Sequence, residues 1–179
     1  MTIYLIRHGK TEANEKNLYC GSTDLPLSEM GREQLKTLHY EMENVNYLTS
    51  GMKRTEETLR ILFGEVPHRM DVRFREVGFG IFEMHGYEEL KDTADYQAWL
   101  TGDNEANIPP RGESGQQMRQ RALEALGEIR EDTCIVTHGG VIAAIMQALF
   151  PEEGKNRYQW QPACGCGYEI CGKKYRPIP

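Results

Sequence analysis

Thr2-Ile3-Tyr4-Leu5-Ile6-Arg7-His8-Gly9-Lys10-Thr11-Glu12-Ala13-Asn14 is the stretch on which the reading of this chain turns. An apolar, β-prone run ends abruptly in arginine, histidine and glycine, and polar side chains follow. A strand of β-branched and aromatic residues buries itself and delivers whatever it carries at its end to the rim of a sheet. Arginine presents a planar fork of donors matched to phosphate, and histidine serves as nucleophile, acid or base near neutral pH. The combination points to a site that handles phosphoryl groups, provided that the rest of the chain supplies partners.

Thr133–Thr137 (Thr-Cys-Ile-Val-Thr) is a continuous β-prone run suited to a buried parallel strand, and His138-Gly139-Gly140 follows it. In a parallel sheet all carboxyl ends lie on one edge, where open α/β folds place ligands. His8 and His138, far apart in sequence, are therefore expected side by side. Between these strands, Ser28 is expected to cap a helix carrying Leu35, Leu38 and Met42 at helical spacing. Val45–Ser50 reads as a second strand, followed by a helix from about Lys53 to Phe63. Ser114 is expected to cap the helix that runs through Met118–Ile129. Gly139-Gly140 is expected to turn the chain into a helix over Val141–Phe150, which Pro151 ends, and Gly167–Gly172 reads as a last strand. This alternation predicts a three-layer α/β/α fold with a mainly parallel central sheet. The irregular segment from about 83 to 112, with one helical patch near Tyr87–Leu100, is expected to be an excursion able to cover a site.

The bulk properties restrict the function. At 179 residues the chain fits one domain, 1–179, with a sizeable core. A net charge of −6 argues against a general binder of nucleic acid or anionic membrane, so positive charge for an anionic ligand must be concentrated in one pocket. The apolar stretch from Cys134 to Phe150 is too polar at its centre for a membrane span, and the N-terminal run does not read as a signal peptide. The five cysteines, at 20, 134, 164, 166 and 171, lack zinc-site spacing and are expected to be reduced thiols of a cytoplasmic protein. Cys20 is expected to be a small packing residue beside the pocket. Oligomeric state stays open, a homodimer included.

Two further residues stand out. Arg54 lies near the start of the helix after the second strand, where backbone donors and the helix dipole favour anions. Glu76, in Arg73-Phe74-Arg75-Glu76-Val77-Gly78-Phe79, is an acid among aromatics and glycines rather than on a charged face. It is expected either to work as a general acid or to pair with Arg73 or Arg75.

In order along the chain, these residues resemble the histidine phosphatase superfamily in its phosphoglycerate-mutase-like branch. Arg7-His8-Gly9 with Thr11 and Asn14 is similar to the family's Arg-His-Gly-x-Thr-x-x-Asn. Gly21-Ser22-Thr23-Asp24-Leu25-Pro26-Leu27-Ser28-Glu29-Met30-Gly31 resembles Gly-x-x-Asp-x-Pro-Leu-Thr-x-x-Gly, and Ser50–Thr55 resembles Ser-x-Leu-x-Arg-Ala with Met52 and Thr55 as variants. The resemblance implies that His8 attacks phosphorus and carries the phosphoryl group as phosphohistidine. It implies that Arg7, Arg54, His138 and Asn14 clamp phosphoryl oxygens, with backbone N–H groups near Gly21 and Gly139 as added donors. Glu76 would protonate the leaving oxygen and then activate water, and no metal or other cofactor is implied. Phe82-Glu83 is followed by Met84 where relatives commonly have glycine, which leaves substrate preference open. Asp92, Asp95, Asp103 and Glu105 make the excursion acidic, which disfavours a mutase that holds a bisphosphorylated primer. Met84, Phe82 and Trp99 are expected to suit a bulky apolar leaving group. Chain size is similar to that of small α-ribazole phosphatases, which makes α-ribazole 5′-phosphate the small phosphorylated metabolite to consider first. A phosphoglycerate mutase and a non-catalytic phospho-ligand module are the alternatives.

Overall fold

The computed structural model describes residues 1–179. In chain order it comprises β1 (Thr2–Arg7), α1 (Glu12–Glu15), α2 (Glu29–Lys36), β2 (Asn46–Thr49), α3 (Lys53–Phe63), β3 (His68–Met70), α4 (Tyr87–Leu90), α5 (Ala94–Leu100), α6 (Gly115–Gly127), β4 (Thr133–Thr137), α7 (Gly139–Leu149), α8 (Arg157–Trp160), β5 (Gly167–Cys171) and β6 (Lys174–Ile178). The six strands form one sheet in the order β3-β2-β4-β1-β5-β6. β3, β2, β4 and β1 run parallel, and β5 and β6 are antiparallel additions at one side. No helix is long and apolar enough to cross a membrane.

Alternation along the central strands builds the three layers. Ile3, Leu5 and Ile135 pack with Met118 and Ala122 of α6 and with Val141, Ile142 and Ile145 of α7. Ile6, Cys134 and Val136 face the other way, onto Leu59 of α3. Successive side chains of a strand point to opposite faces, so one pair of strands serves both cores. β4 is buried along its whole length, as a central parallel strand must be.

The helix caps follow from sequence. The Ser28 hydroxyl accepts the Gly31 N–H, and Ser114 forms a capping box with Gln117. The first of these helices is shorter than its apolar spacing predicts: it stops at Lys36, and the Thr37 hydroxyl donates to the Gln34 carbonyl. Met42 still packs on the second core, but from a loop.

Three further differences have physical causes. Gly139 and Gly140 do not form a turn; they are the first residues of α7, with His138 as N-cap. Close approach requires glycine at 140, where a Cβ would lie 2.4 Å from Oε1 of Glu76, a carboxylate held by backbone N–H groups; a Cβ on Gly139 would meet only the end of the Gln161 side chain, which can move aside. Gly167–Gly172 is not the last strand, since the chain turns at Gly172 (φ +60°) into β6. β6 tolerates Pro177 because it is an edge strand. The helical patch between 87 and 100 is split into α4 and α5. Phe82, Leu90 and Tyr96 form a small core of their own there, extended by Tyr19, Phe79 and Trp99.

Candidate active site

The register of the central strands brings the two histidines together. Arg7 pairs with Thr137 at the ends of β1 and β4, and the His8 N–H donates to the Thr137 carbonyl at 2.9 Å. The next residue on each strand is therefore a histidine, and the two rings meet edge-on with centroids 5.2 Å apart. His8 lies on the floor of a cleft of about 700 Å³ that Arg7, Asn14, Glu76 and Gly139 also line.

His8 is prepared as a nucleophile. Its Nδ1 lies 2.6 Å from the Gly9 carbonyl, an acceptor only, so Nδ1 carries the proton and Nε2 keeps its lone pair. Burial, followed by the charges of Arg54 and Arg7, holds the imidazole well below its ordinary value of 6.5 against the opposing pull of the Gly9 carbonyl. The ring is neutral at neutral pH.

Arg54 and His138 lie behind His8 rather than on the cleft surface, and both are buried. Arg54 Nη1 donates to the Thr23 carbonyl at 2.9 Å and Nη2 to the Gly21 carbonyl at 2.8 Å, while Nε donates to His138 Nδ1 at 3.3 Å. His138 Nε2 is 2.8 Å from Ser50 Oγ, so both of its ring nitrogens have protein partners. Arg7 is more open: Nη1 donates to the Pro162 carbonyl, no carboxylate pairs with it, and its buried Nε has no partner. An unpaired guanidinium at the cleft floor is suited to an anion.

Glu76 forms no ion pair with Arg73 or Arg75. Arg73 is engaged by Asp71 and Glu128, and Arg75 donates to the Ser50 carbonyl. The Glu76 carboxylate instead accepts the Gly140 N–H on Oε2 (2.9 Å) and the Val77 N–H on Oε1 (3.0 Å). Arg121 of α6 steadies the same segment, donating to the Arg73, Arg75 and Glu76 carbonyls and pairing with Glu113.

Two expected contributors differ in place or state. The Gly21 N–H is not a donor toward the cleft, because it donates to both oxygens of Glu83. Gly21 is glycine because a Cβ would collide with the Val77 carbonyl, 1.7 Å away. Asn14 does line the cleft, but its Oδ1 accepts the Thr11 N–H and hydroxyl in the cap of α1, leaving the amide NH₂ for a ligand.

Glu83 gave no functional signal in the sequence, yet it organises this wall. Its carboxylate accepts N–H groups of Gly21, Ser22, Thr23 and Phe79 and the Thr23 hydroxyl. Burial alone would raise its pKa; the Thr23 hydroxyl and the backbone donors outweigh it and hold the group below the ordinary 4.5. Glu83→Gln is expected to destabilise the fold by about 2 kcal/mol, since one acceptor becomes a donor among donors. Urea melts at neutral pH check this. The sign of the pH dependence follows. His8 and His138 both titrate below 6.5 in the folded protein, so below that pH the unfolded chain takes up protons first and stability falls. The contribution of Glu83 is complete above 4.5 and is lost as pH falls through its lower folded value.

Next to Glu83, Met84 has φ +63°, the left-handed region that favours glycine. Neither Met84 nor Phe82 lines the cleft; of the three residues expected to receive an apolar group, only Trp99 does. The rest of the outer wall carries no motif in the sequence. Tyr19, Phe79, Tyr87 and Trp99 supply aromatic surface, while Lys10, Gln161 and Arg157 supply polar groups, with Arg157 held by Glu105. Cys20 also lines the cleft, and burial raises its thiol pKa.

This arrangement fits what the chain is similar to. The sequence pattern described as histidine phosphatase superfamily (branch 1) matches residues 3–176. An adenosylcobalamin/alpha-ribazole phosphatase of Salmonella typhimurium strain LT2 is 31% identical, with 96% of this chain and 91% of that protein covered. A metal-independent phosphoserine phosphatase of Arabidopsis thaliana is 32% identical over 80% of this chain and 66% of its own length. The crystal structure of a putative alpha-ribazole-5'-P phosphatase from Escherichia coli K-12 superposes with a TM-score of 0.85 at 28% identity, covering 99% of this chain and 94% of that one.

Proposed function

The chain belongs to branch 1 of the histidine phosphatase superfamily and is a phosphoric monoester hydrolase, and from that premise we propose that it works through a phosphohistidine on His8 and acts on a small metabolite whose leaving group is flat and apolar, α-ribazole 5′-phosphate first among them. The observation that carries the mechanism is His8 itself: a neutral imidazole with Nδ1 tied to the Gly9 carbonyl and Nε2 free at the floor of the cleft. Arg7, the amide of Asn14 and the N-terminal N–H of Gly139 are the donors for phosphoryl oxygens, and Arg54 adds positive charge from behind. Such preorganised donors stabilise charge as it develops in the transition state. Glu76 gives a proton to the leaving oxygen and later takes one from water.

The substrate reading rests on the wall. A nucleoside-sized group fits the cleft volume. Tyr19, Phe79, Tyr87 and Trp99 offer ring faces and edges to it. Initial rates in EDTA on α-ribazole 5′-phosphate, phosphoserine and 3-phosphoglycerate test it. The expected order places α-ribazole 5′-phosphate at least about 100-fold ahead in kcat/KM. Trp99→Ala is expected to raise KM for that substrate roughly tenfold, the value of one lost stacking partner, and to leave phosphoserine nearly unchanged. Equal effects on both substrates would remove Trp99 from leaving-group recognition. Formation of 2-phosphoglycerate faster than phosphate release would identify a mutase instead.

A further inference from the structure

The hydroxyls behind His138 form a chain whose proton directions are fixed at both ends. The Arg54 Nε–H can only donate, so His138 Nδ1 is bare and accepts it. The single proton of the neutral ring is then on Nε2, which donates to Ser50 Oγ at 2.8 Å. Ser50, already an acceptor, turns its own proton to Thr55 Oγ1 at 3.1 Å. Thr55 in turn donates to the Met52 carbonyl at 2.8 Å, which can only accept. All four side chains are buried, so water does not compete for these bonds. Thr55 stands where the family pattern has alanine, which could not take the Ser50 proton.

We propose that Thr55 is a positioning residue: by accepting the Ser50 hydroxyl proton it keeps Ser50 an acceptor toward His138, and His138 an acceptor toward Arg54. The effect reaches the guanidinium. With Nε on His138 and the two terminal nitrogens on the Thr23 and Gly21 carbonyls, three of the five Arg54 N–H groups are anchored and its plane is fixed. One N–H on each terminal nitrogen is left over. If Thr55 loses its oxygen, the acceptor within reach of the Ser50 proton is His138 Nε2. The ring then shifts to the Nδ1–H tautomer, two donors face each other, and Arg54 is released. No net proton enters or leaves; the Ser50 hydroxyl turns round and the ring exchanges one tautomer for the other.

This inference rests on the reading that Arg54 serves the phosphoryl site, but its test can be read without turnover. ¹⁵N NMR of ring-labelled histidine in the resting enzyme near neutral pH is expected to show His138 protonated on Nε2 in the wild type and in Thr55→Ser. In Thr55→Val the Nδ1–H tautomer is expected to appear, with kcat lowered about tenfold and largely recovered in Thr55→Ser. Thr55→Ala, with less bulk, gives the same readout should valine not be accommodated. An unmoved Nε2–H tautomer in both variants would overturn the proposal, whatever happens to the rate. A shifted tautomer in a protein that hydrolyses no monoester would support the relay and count against the phosphatase mechanism alone.

Discussion

His8→Ala is expected to abolish release of inorganic phosphate from p-nitrophenyl phosphate in EDTA, with a loss of about 10⁴-fold or more. The size of this effect follows from the role. Removing a donor that only stabilises charge costs roughly 10²–10³ in rate, whereas removing the nucleophile removes the covalent route itself. The geometry also dictates which atom acts. Nδ1 is committed to the Gly9 carbonyl, so phosphorus bonds to Nε2 as the bond to the leaving oxygen breaks. Because burial and the two arginines hold the ring neutral well below 6.5, the rate is not expected to decline on the acid side near the ordinary histidine value. Rapid quenching into alkali, where phosphohistidine survives, checks the intermediate directly: label stays on the wild-type protein and is absent from the variant. Arg7 and Gly139 are untouched by the substitution, so the variant is expected still to bind phosphate. Residual turnover within tenfold of wild type would place the nucleophile elsewhere.

The sequence carries the centre of this fold more clearly than its margins. β1 and β4 are continuous apolar runs cut off by Arg-His-Gly and His-Gly-Gly, and because both are parallel and central, their ends had to meet. That single inference places His8, His138 and Arg7 together. α3 was legible for the same reason, since its apolar face and the strand before it fix both ends. The margins were not. β3 is three exposed residues, and β6 is a charged edge strand containing proline, so neither shows strand periodicity. The Gly139-Gly140 pair reads as a turn until Glu76, distant in sequence, is seen pressing on Gly140. Glu83, Arg121 and the Ser50–Thr55 relay act through hydrogen bonds to remote backbone or single side chains. Such bonds leave no repeating trace in the sequence, whereas burial of a face does.

The second large effect belongs to Glu76, and it should depend on the leaving group. Glu76→Gln preserves the shape but removes the proton that a general acid gives, a change worth roughly 10²–10⁴-fold where protonation is needed. An alkoxide such as a ribose 5′-oxygen leaves poorly and needs that proton; p-nitrophenolate leaves without it. On the alkyl substrate the first step is therefore expected to fail. On p-nitrophenyl phosphate the first step survives, but the second, in which Glu76 takes a proton from the attacking water, does not. The variant is then expected to release one p-nitrophenolate per site in a burst and to stall as phosphoenzyme. The position of the carboxylate favours this double use. It is held by the N–H groups of Gly140 and Val77 and makes no salt bridge, so its place at the cleft does not depend on a cation. Gly140 is the second residue of α7, the helix that His138 caps, so the acid is anchored to the segment that carries the second imidazole. A burst in Glu76→Gln, absent in His8→Ala, separates acid–base catalysis from nucleophilic attack. Equal losses on both substrates with no burst would reduce Glu76 to a structural cap on α7.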